Sequence, residues 1–155
     1  MDWTLIKTKS GKTFAKSASD WEFWHAETHP RLQKLHADGY SIVVFTNQGG
    51  VLSGNTKIAD LNTKFRAIQK ELNVPISFIA AIGSDNFRKP CTGMFSYFED
   101  TVGTVDKNAS FYCGDAAGRA ATATTKKDFS ADDFKFSSNI GVKFETPESF
   151  FLGQP

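Results

Sequence analysis

The chain has 155 residues, 40% of them hydrophobic and 15 of them phenylalanine, with a formal net charge of +1. This composition excludes disorder driven by low hydrophobicity and high charge, and it excludes a long-range field as the source of any attraction to nucleic acid. The length predicts a single domain over residues 1–155, able to bury roughly two thirds of the surface its unfolded form exposes.

Along the chain, "MDWTLIKTKSGKTF" sets a carboxylate, Asp2, at the second residue with no strand in front of it, followed by a basic run of Lys7, Lys9, Lys12 and Lys16 that contains no acid. "SGKTF" has the ending of a phosphate-binding GxxxxGK(S/T) loop, but Ile6 stands where the first glycine belongs, so no nucleotide-binding loop is expected. Trp21 and Trp24 can pack beneath this loop or stack on a frayed nucleobase. His25 and His29 share a helical spacing, yet "HAETH" is not HExxH and Pro30 follows at once, so no zinc site is expected.

A short helix is predicted around Arg31 to Ala37, stopped by Gly39. A strand follows at "SIVVFT", Ser41 to Thr46. Ile58, Leu61, Phe65, Ile68 and Leu72 then fall on one helical face, with Lys, Arg, Gln and Glu opposite. Further buried strands are predicted at Ile76 to Ile82, Ser110 to Cys113 and Ile140 to Phe144. Strand and helix alternate, which predicts an α/β fold with an open parallel Rossmann-like sheet and flanking helices. Cys91 and Cys113 are the only cysteines, too few for a disulfide framework and too far apart for a CxxC pair, so a reducing intracellular compartment is the default. No apolar run approaches the roughly 18 residues of a spanning helix, and no membrane or secretory segment is expected.

Ligands of open parallel sheets sit beyond the carboxyl ends of the strands. "FTNQGG" sets Thr46 at one such end, "FRKPCTGM" sets Lys89 just past another, and "YCGDAAGR" sets Asp115 directly after a third. A hydroxyl, an ammonium and a carboxylate are thus expected to converge on one crevice. The hydroxyl and loop N–H groups can donate to phosphoryl oxygens, the ammonium can balance their charge, and the carboxylate is a hard ligand for Mg²⁺. Each residue alone also has a structural explanation, as a strand end, a solvated loop charge and a turn or helix cap. A second basic run, Arg119, Lys126 and Lys127, lies between Asp115 and Asp128.

The ordered signature resembles that of the haloacid-dehalogenase-like phosphatases, and "TKSGKTF", "SDW", "GYSIVVFTNQGG", "RKPCTGM", "CGDAAGR", "KKDFSADD" and "TPESFF" are similar to successive blocks of the polynucleotide kinase 3′-phosphatase domain. The resemblance implies a Mg²⁺-dependent hydrolase acting on DNA 3′ ends that bear phosphate, in DNA repair and therefore in the nucleus. A monomer without the accompanying kinase half is the working expectation, with no protein partner legible.

By the same resemblance, Asp2 is the general acid of a DxD motif, and Thr46 and Lys89 hold the phosphoryl group. Asp115 is implied to ligate the metal, with Asp128 in its outer shell. Asn47, Gln48, Arg88, Arg119, Lys126 and Lys127 are expected to meet the substrate. The first Asp of the motif, the nucleophile that forms an aspartyl-phosphate, would stand one residue before Met1. The first central strand is accordingly expected to be missing or truncated, and the chain nearly inert without an upstream strand ending in Asp. Trp3 occupies a position where the family has glycine or another small residue, and it is expected to crowd the site. Two other readings stand beside this one: a non-catalytic DNA-end binder, and a small-molecule phosphatase of the same superfamily.

Overall fold

The structure, a computed structural model, describes residues 1–123 and 125–154. The chain divides into two compact units, Met1–Gly83 and Ser84–Pro155. Each unit carries one parallel pair of strands with helices of its own. The expected parallel pairing is present as two separate two-stranded ladders.

In the first unit, β1 (Ile6–Lys7) and β2 (Glu22–Phe23) form a short antiparallel pair at the base of the basic loop. Helix α1 (Thr28–Ala37) starts three residues before the expected Arg31. Pro30 does not prevent this, because the first turn of a helix has no i−4 bond to lose. Its end is as expected: Gly39 follows in the left-handed region at φ +93°. Strand β3 (Ile42–Asn47) and strand β4 (Ile76–Ala81) pair in parallel, with Ile42 opposite Ile76 and Asn47 opposite Ala81.

Between them lie the four-residue helix α2 (Gly49–Leu52) and the long helix α3 (Ile58–Leu72), whose bounds are those read from the apolar spacing. Leu61, Ile68 and Leu72 are buried, and Phe65 stacks on Phe78 of β4 with ring centroids 4.4 Å apart. Ile58, at the first turn, is exposed. With Leu5, Ile6, Trp21 and Phe45 these side chains form the core of this unit.

In the second unit, helix α4 (Gly93–Thr101) buries Met94, Phe95 and Phe98. Strand β5 (Phe111–Cys113) pairs in parallel with β6 (Lys143–Glu145), Phe111 opposite Lys143 and Cys113 opposite Glu145. The strand expected over Ile140 to Phe144 therefore starts later. Helix α5 (Asp132–Ile140) runs through Ile140, because Asp133, Phe136, Ser137 and Ile140 share one buried face, each three or four residues from a partner on it. Gly141, at φ +77°, stops that helix in the left-handed conformation that glycine adopts without cost.

Helix α6 (Pro147–Leu152) starts with Thr146 as its cap, whose side chain accepts from the Ser149 N–H, and with proline in the first turn. Among the described residues no helix is long and apolar enough to cross a membrane.

Candidate active site

In the first unit the candidate residues gather at the carboxyl end of β3. Thr46 is the penultimate residue of that strand and is buried, its neighbours on the ladder holding its backbone. Gln48 closes the end of the strand: its N–H donates to the Ala81 carbonyl at 2.8 Å. Its side-chain amide donates both to Thr46 Oγ1, at 2.8 Å, and to Asp2 Oδ2, at 3.1 Å. Asp2 and Thr46, 44 positions apart by their numbers, are thus linked through one amide.

The turn that carries Asp2 is made by the Met1 carbonyl, which accepts from the N–H groups of Thr4, Leu5 and Ile6, and Asp2 forms an isolated parallel bridge with Ile6. Trp3, within that turn, has φ +58° and is 39% exposed. A side chain in the left-handed region costs about 1 kcal/mol relative to glycine, which gives a backbone reason for a glycine at this position. Gly50, just past the strand, leaves room for Thr56: a Cβ there would lie 2.7 Å from the Thr56 hydroxyl. Asn47 ends the strand half-buried.

In the second unit Lys89, next to Pro90 on a cis peptide bond, is buried rather than solvated. Its ammonium donates to Asp133 Oδ1 at 2.6 Å and to the Tyr112 hydroxyl at 2.9 Å, and that hydroxyl donates to the same carboxylate oxygen at 3.0 Å. The other carboxylate oxygen accepts the Ala116 N–H at 3.1 Å. Burial pushes the Asp133 carboxyl up, but the Lys89 charge and these hydrogen bonds outweigh it and hold the group below the ordinary carboxylate range. Burial, then the Asp133 charge, pushes the Tyr112 phenol well above its ordinary value, so it stays a neutral donor.

Gly114 permits this arrangement, since a Cβ there would lie 2.4 Å from Asp133 Cγ. Asp133 and Tyr112 escaped the sequence reading. The available signal was the position of Asp133 on the apolar face of α5, where a buried carboxylate demands a cationic partner.

Asp115 follows β5 half-buried, and its carbonyl accepts the Ala117 N–H at 2.8 Å. Arg119, expected to meet substrate, has its guanidinium placed on two carboxylates: Nε and Nη2 on Asp128 at 2.9 and 3.1 Å, and Nη1 on Glu148 at 3.0 Å. The Asp128 N–H donates to the Arg119 carbonyl at 3.1 Å and the Arg119 N–H to Asp128 Oδ2 at 2.9 Å, completing the closure of that loop. Burial raises the Asp128 carboxyl and the hydrogen bonds from Arg119 lower it, with a net fall. Lys126 and Lys127 are exposed on the closed loop, Phe129 beside them is 81% exposed, and Arg88 is half-buried.

The first basic loop is closed in a similar way. Asp20 accepts from the Lys16 N–H at 2.9 Å and from the Ser10 hydroxyl and N–H at 2.7 and 2.8 Å. These bonds, that to the Lys16 N–H foremost, hold its carboxyl at about 2. Lys9, Lys12 and Lys16 are exposed around Phe14, itself 84% exposed. Trp21 is buried and Trp24 half-buried, so of the two alternatives Trp21 packs.

Mg²⁺ usually keeps several waters and takes one or two carboxylates together with substrate phosphates. Among the described residues no group of three or more His, Cys, Asp or Glu side chains could cage a metal. Asp115 offers one carboxylate after β5, the hard oxygen donor that a hydrated Mg²⁺ takes.

A family model described as polynucleotide kinase 3 phosphatase matches residues 1–151. The chain is 47% identical over 154 residues to the bifunctional polynucleotide phosphatase/kinase of Schizosaccharomyces pombe, covering 99% of this chain and 36% of that protein. It is 43% identical over 150 residues to an uncharacterised 20.8 kDa protein of Autographa californica nuclear polyhedrosis virus, covering 97% of this chain and 81% of that one. The chain therefore spans about a third of the first relative's length and most of the second's. Its fold is similar to that of a D,D-heptose 1.7-bisphosphate phosphatase from B. bronchiseptica complexed with magnesium and phosphate, with a TM-score of 0.72 at 19% identity, covering 99% of this chain and 83% of that one.

Proposed function

The chain belongs to the polynucleotide kinase 3 phosphatase family, and on that premise we propose that it acts as a phosphatase on DNA 3′ ends, removing the phosphate to leave a hydroxyl. The observation that carries the reading is the buried ammonium of Lys89, held by a carboxylate and a phenol. A charge of this kind is costly to bury and is suited to developing negative charge on a phosphoryl group.

In this reading Thr46 donates its hydroxyl to a phosphoryl oxygen, and Lys89 neutralises charge. Asp2 gives a proton to the departing sugar oxygen and afterwards takes one from the water that opens the acyl phosphate. The attacking carboxylate is the one that the resemblance sets immediately before Met1. Asp115 would hold Mg²⁺, which would offset phosphoryl charge. Asp128 acts behind it by seating Arg119 and the loop. Asn47, Gln48 and Arg88 meet the phosphate from their own segments.

The two closed loops support the choice of nucleic acid. One carries exposed Lys9, Lys12 and Lys16 with an exposed Phe14, and the other exposed Lys126 and Lys127 with an exposed Phe129 just past its closure. Lysine contacts to phosphates carry affinity without reading sequence, and an exposed ring offers a face for base stacking. In this reading the protein acts in the nucleus, as a monomer.

The test is Mg²⁺-dependent phosphate release from a 3′-phosphorylated oligonucleotide, by this chain and by one preceded by an apolar strand ending in Asp. Release by the extended protein, with small phosphoesters turned over poorly, is the expected result. Preference for a sugar phosphate would overturn the DNA assignment. Tight binding of the oligonucleotide with no turnover by either protein would replace the enzyme with an end-binding protein.

A further inference from the structure

We infer that Tyr112 is a positioning residue for Lys89: its hydroxyl, bonded to both members of the Lys89–Asp133 pair, fixes the direction in which the ammonium presents its charge. An ammonium bound to one carboxylate oxygen alone can still rotate about its terminal carbon–nitrogen bond. Here two of its three N–H directions are set at once, one on Asp133 Oδ1 and one on the Tyr112 oxygen. Geometry then fixes the third.

The tyrosine is itself held in place. Its hydroxyl proton is directed to Asp133 Oδ1, its ring meets Phe136 of α5 edge-on at 5.1 Å, and its backbone is on the β5–β6 ladder opposite Phe144. The Asp133 backbone is tied in turn, its N–H donating to the Ala116 carbonyl. The three polar groups thus form a closed triangle whose corners are anchored on a strand, a helix and a loop, all within one unit. The consequence for phosphate rests on the phosphatase reading, but the orientation of the ammonium does not.

Tyr112→Phe removes the hydroxyl and keeps the ring against Phe136, so the test can separate orientation from packing. The first readout is heteronuclear NMR of the lysine ammonium groups, with the Lys89 signal identified by its loss in Lys89→Ala. An immobilised ammonium exchanges its protons slowly, and the Lys89 signal is expected to broaden or vanish in Tyr112→Phe while other lysine signals stay. An unchanged Lys89 signal overturns the proposal.

The second readout is the ratio of affinities for a 3′-phosphorylated and a 3′-hydroxyl oligonucleotide. Tyr112→Phe is expected to reduce that preference about 5- to 10-fold, the scale of one hydrogen bond, and to do nothing further in a Lys89→Ala background. Equal losses in both backgrounds mean that Tyr112 acts independently of Lys89, which also overturns the proposal. A wild-type chain with no preference for the 3′-phosphate, together with a Lys89 signal that does respond to Tyr112→Phe, sinks the phosphatase reading and keeps the positioning role.

Discussion

The ammonium nitrogen of Lys89 lies 2.6 Å from Oδ1 of Asp133, and the two side chains are only 8% and 7% exposed. Truncating one member of such a pair leaves the other charge buried without its partner, which typically costs about 3–5 kcal/mol. Lys89→Ala and Asp133→Ala are each expected to destabilise the protein on that scale in urea unfolding, with the double variant costing well under the sum. Additive losses would mean that the pair is not coupled.

Gly114 is expected to tolerate no side chain, because its Cβ would occupy the space of the Asp133 carboxylate. Gly114→Ala should cost about 1–3 kcal/mol or more through overpacking, and it should abolish any preference for a 3′-phosphate. Gly103, by contrast, has open space around a left-handed φ. Gly103→Ala should cost about 1 kcal/mol and leave phosphate binding unchanged. Equal effects at the two sites, read by thermal unfolding and oligonucleotide affinity, would contradict the contact.

Asp20 sets an acid limit on the first basic loop. Its carboxyl ionises at about 2, below its value in an unfolded chain of about 3.9. The unfolded loop binds more protons between those values, so the stabilisation is fully present above the unfolded value and is lost as pH falls toward about 2. Proteolysis by an acid protease should spare the loop near pH 4 and cut it near pH 2. Asp20→Asn should remove that dependence and leave the loop accessible at both.

Trp3 offers a test of backbone strain that is independent of its ring. Trp3→Gly and Trp3→Ala both delete the indole and differ in how they meet φ +58°. The glycine variant should be more stable by about 1 kcal/mol. Equal stabilities would mean that the turn at Met1 does not hold the left-handed conformation.

Lys126 and Lys127 are exposed on a loop closed by Arg119 and Asp128. If they meet backbone phosphates of a single strand, replacing both with alanine should weaken binding and lower the slope of log affinity against log salt by about 1 to 1.5. Arg119→Ala should act differently, by loosening the loop, and should reduce affinity with little change in slope. A slope change of the same size for Arg119→Ala would mean that this guanidinium faces phosphate.

Much of the fold was legible because local periodicity decided it. The run from Ile58 to Leu72 reads as a helix from the sequence, with bounds that the structure repeats. The strands expected to end at Thr46 and Cys113 are apolar runs bounded by turn residues; the first runs one residue further, to Asn47, and the second ends at Cys113. The misplaced strand at Ile140 shows the limit of this signal, since "IGVKF" is apolar enough for either structure. Only the helical face running back through Phe136 to Asp133, and the left-handed Gly141, resolve it. The candidate site was legible in its residue types and not in its partners. Lys89 reads equally well as a solvated loop charge until its burial is known, and Arg119 reads as a phosphate contact until Asp128 and Glu148 are found on its guanidinium.

By itself the sequence determined the alternation of elements, the end of the strand at Cys113 and the family to which the blocks belong, because these depend on residue type, order and spacing along the chain. Only the tertiary structure decided that Lys89 is locked by Asp133 and Tyr112, that Gln48 links Asp2 to Thr46, and that Phe14 and Phe129 rather than Trp21 face outward. The links of Lys89 to Asp133 and Tyr112 and of Gln48 to Asp2 join residues distant in sequence. Their energies depend on burial and direction, and neither exists until the chain has packed.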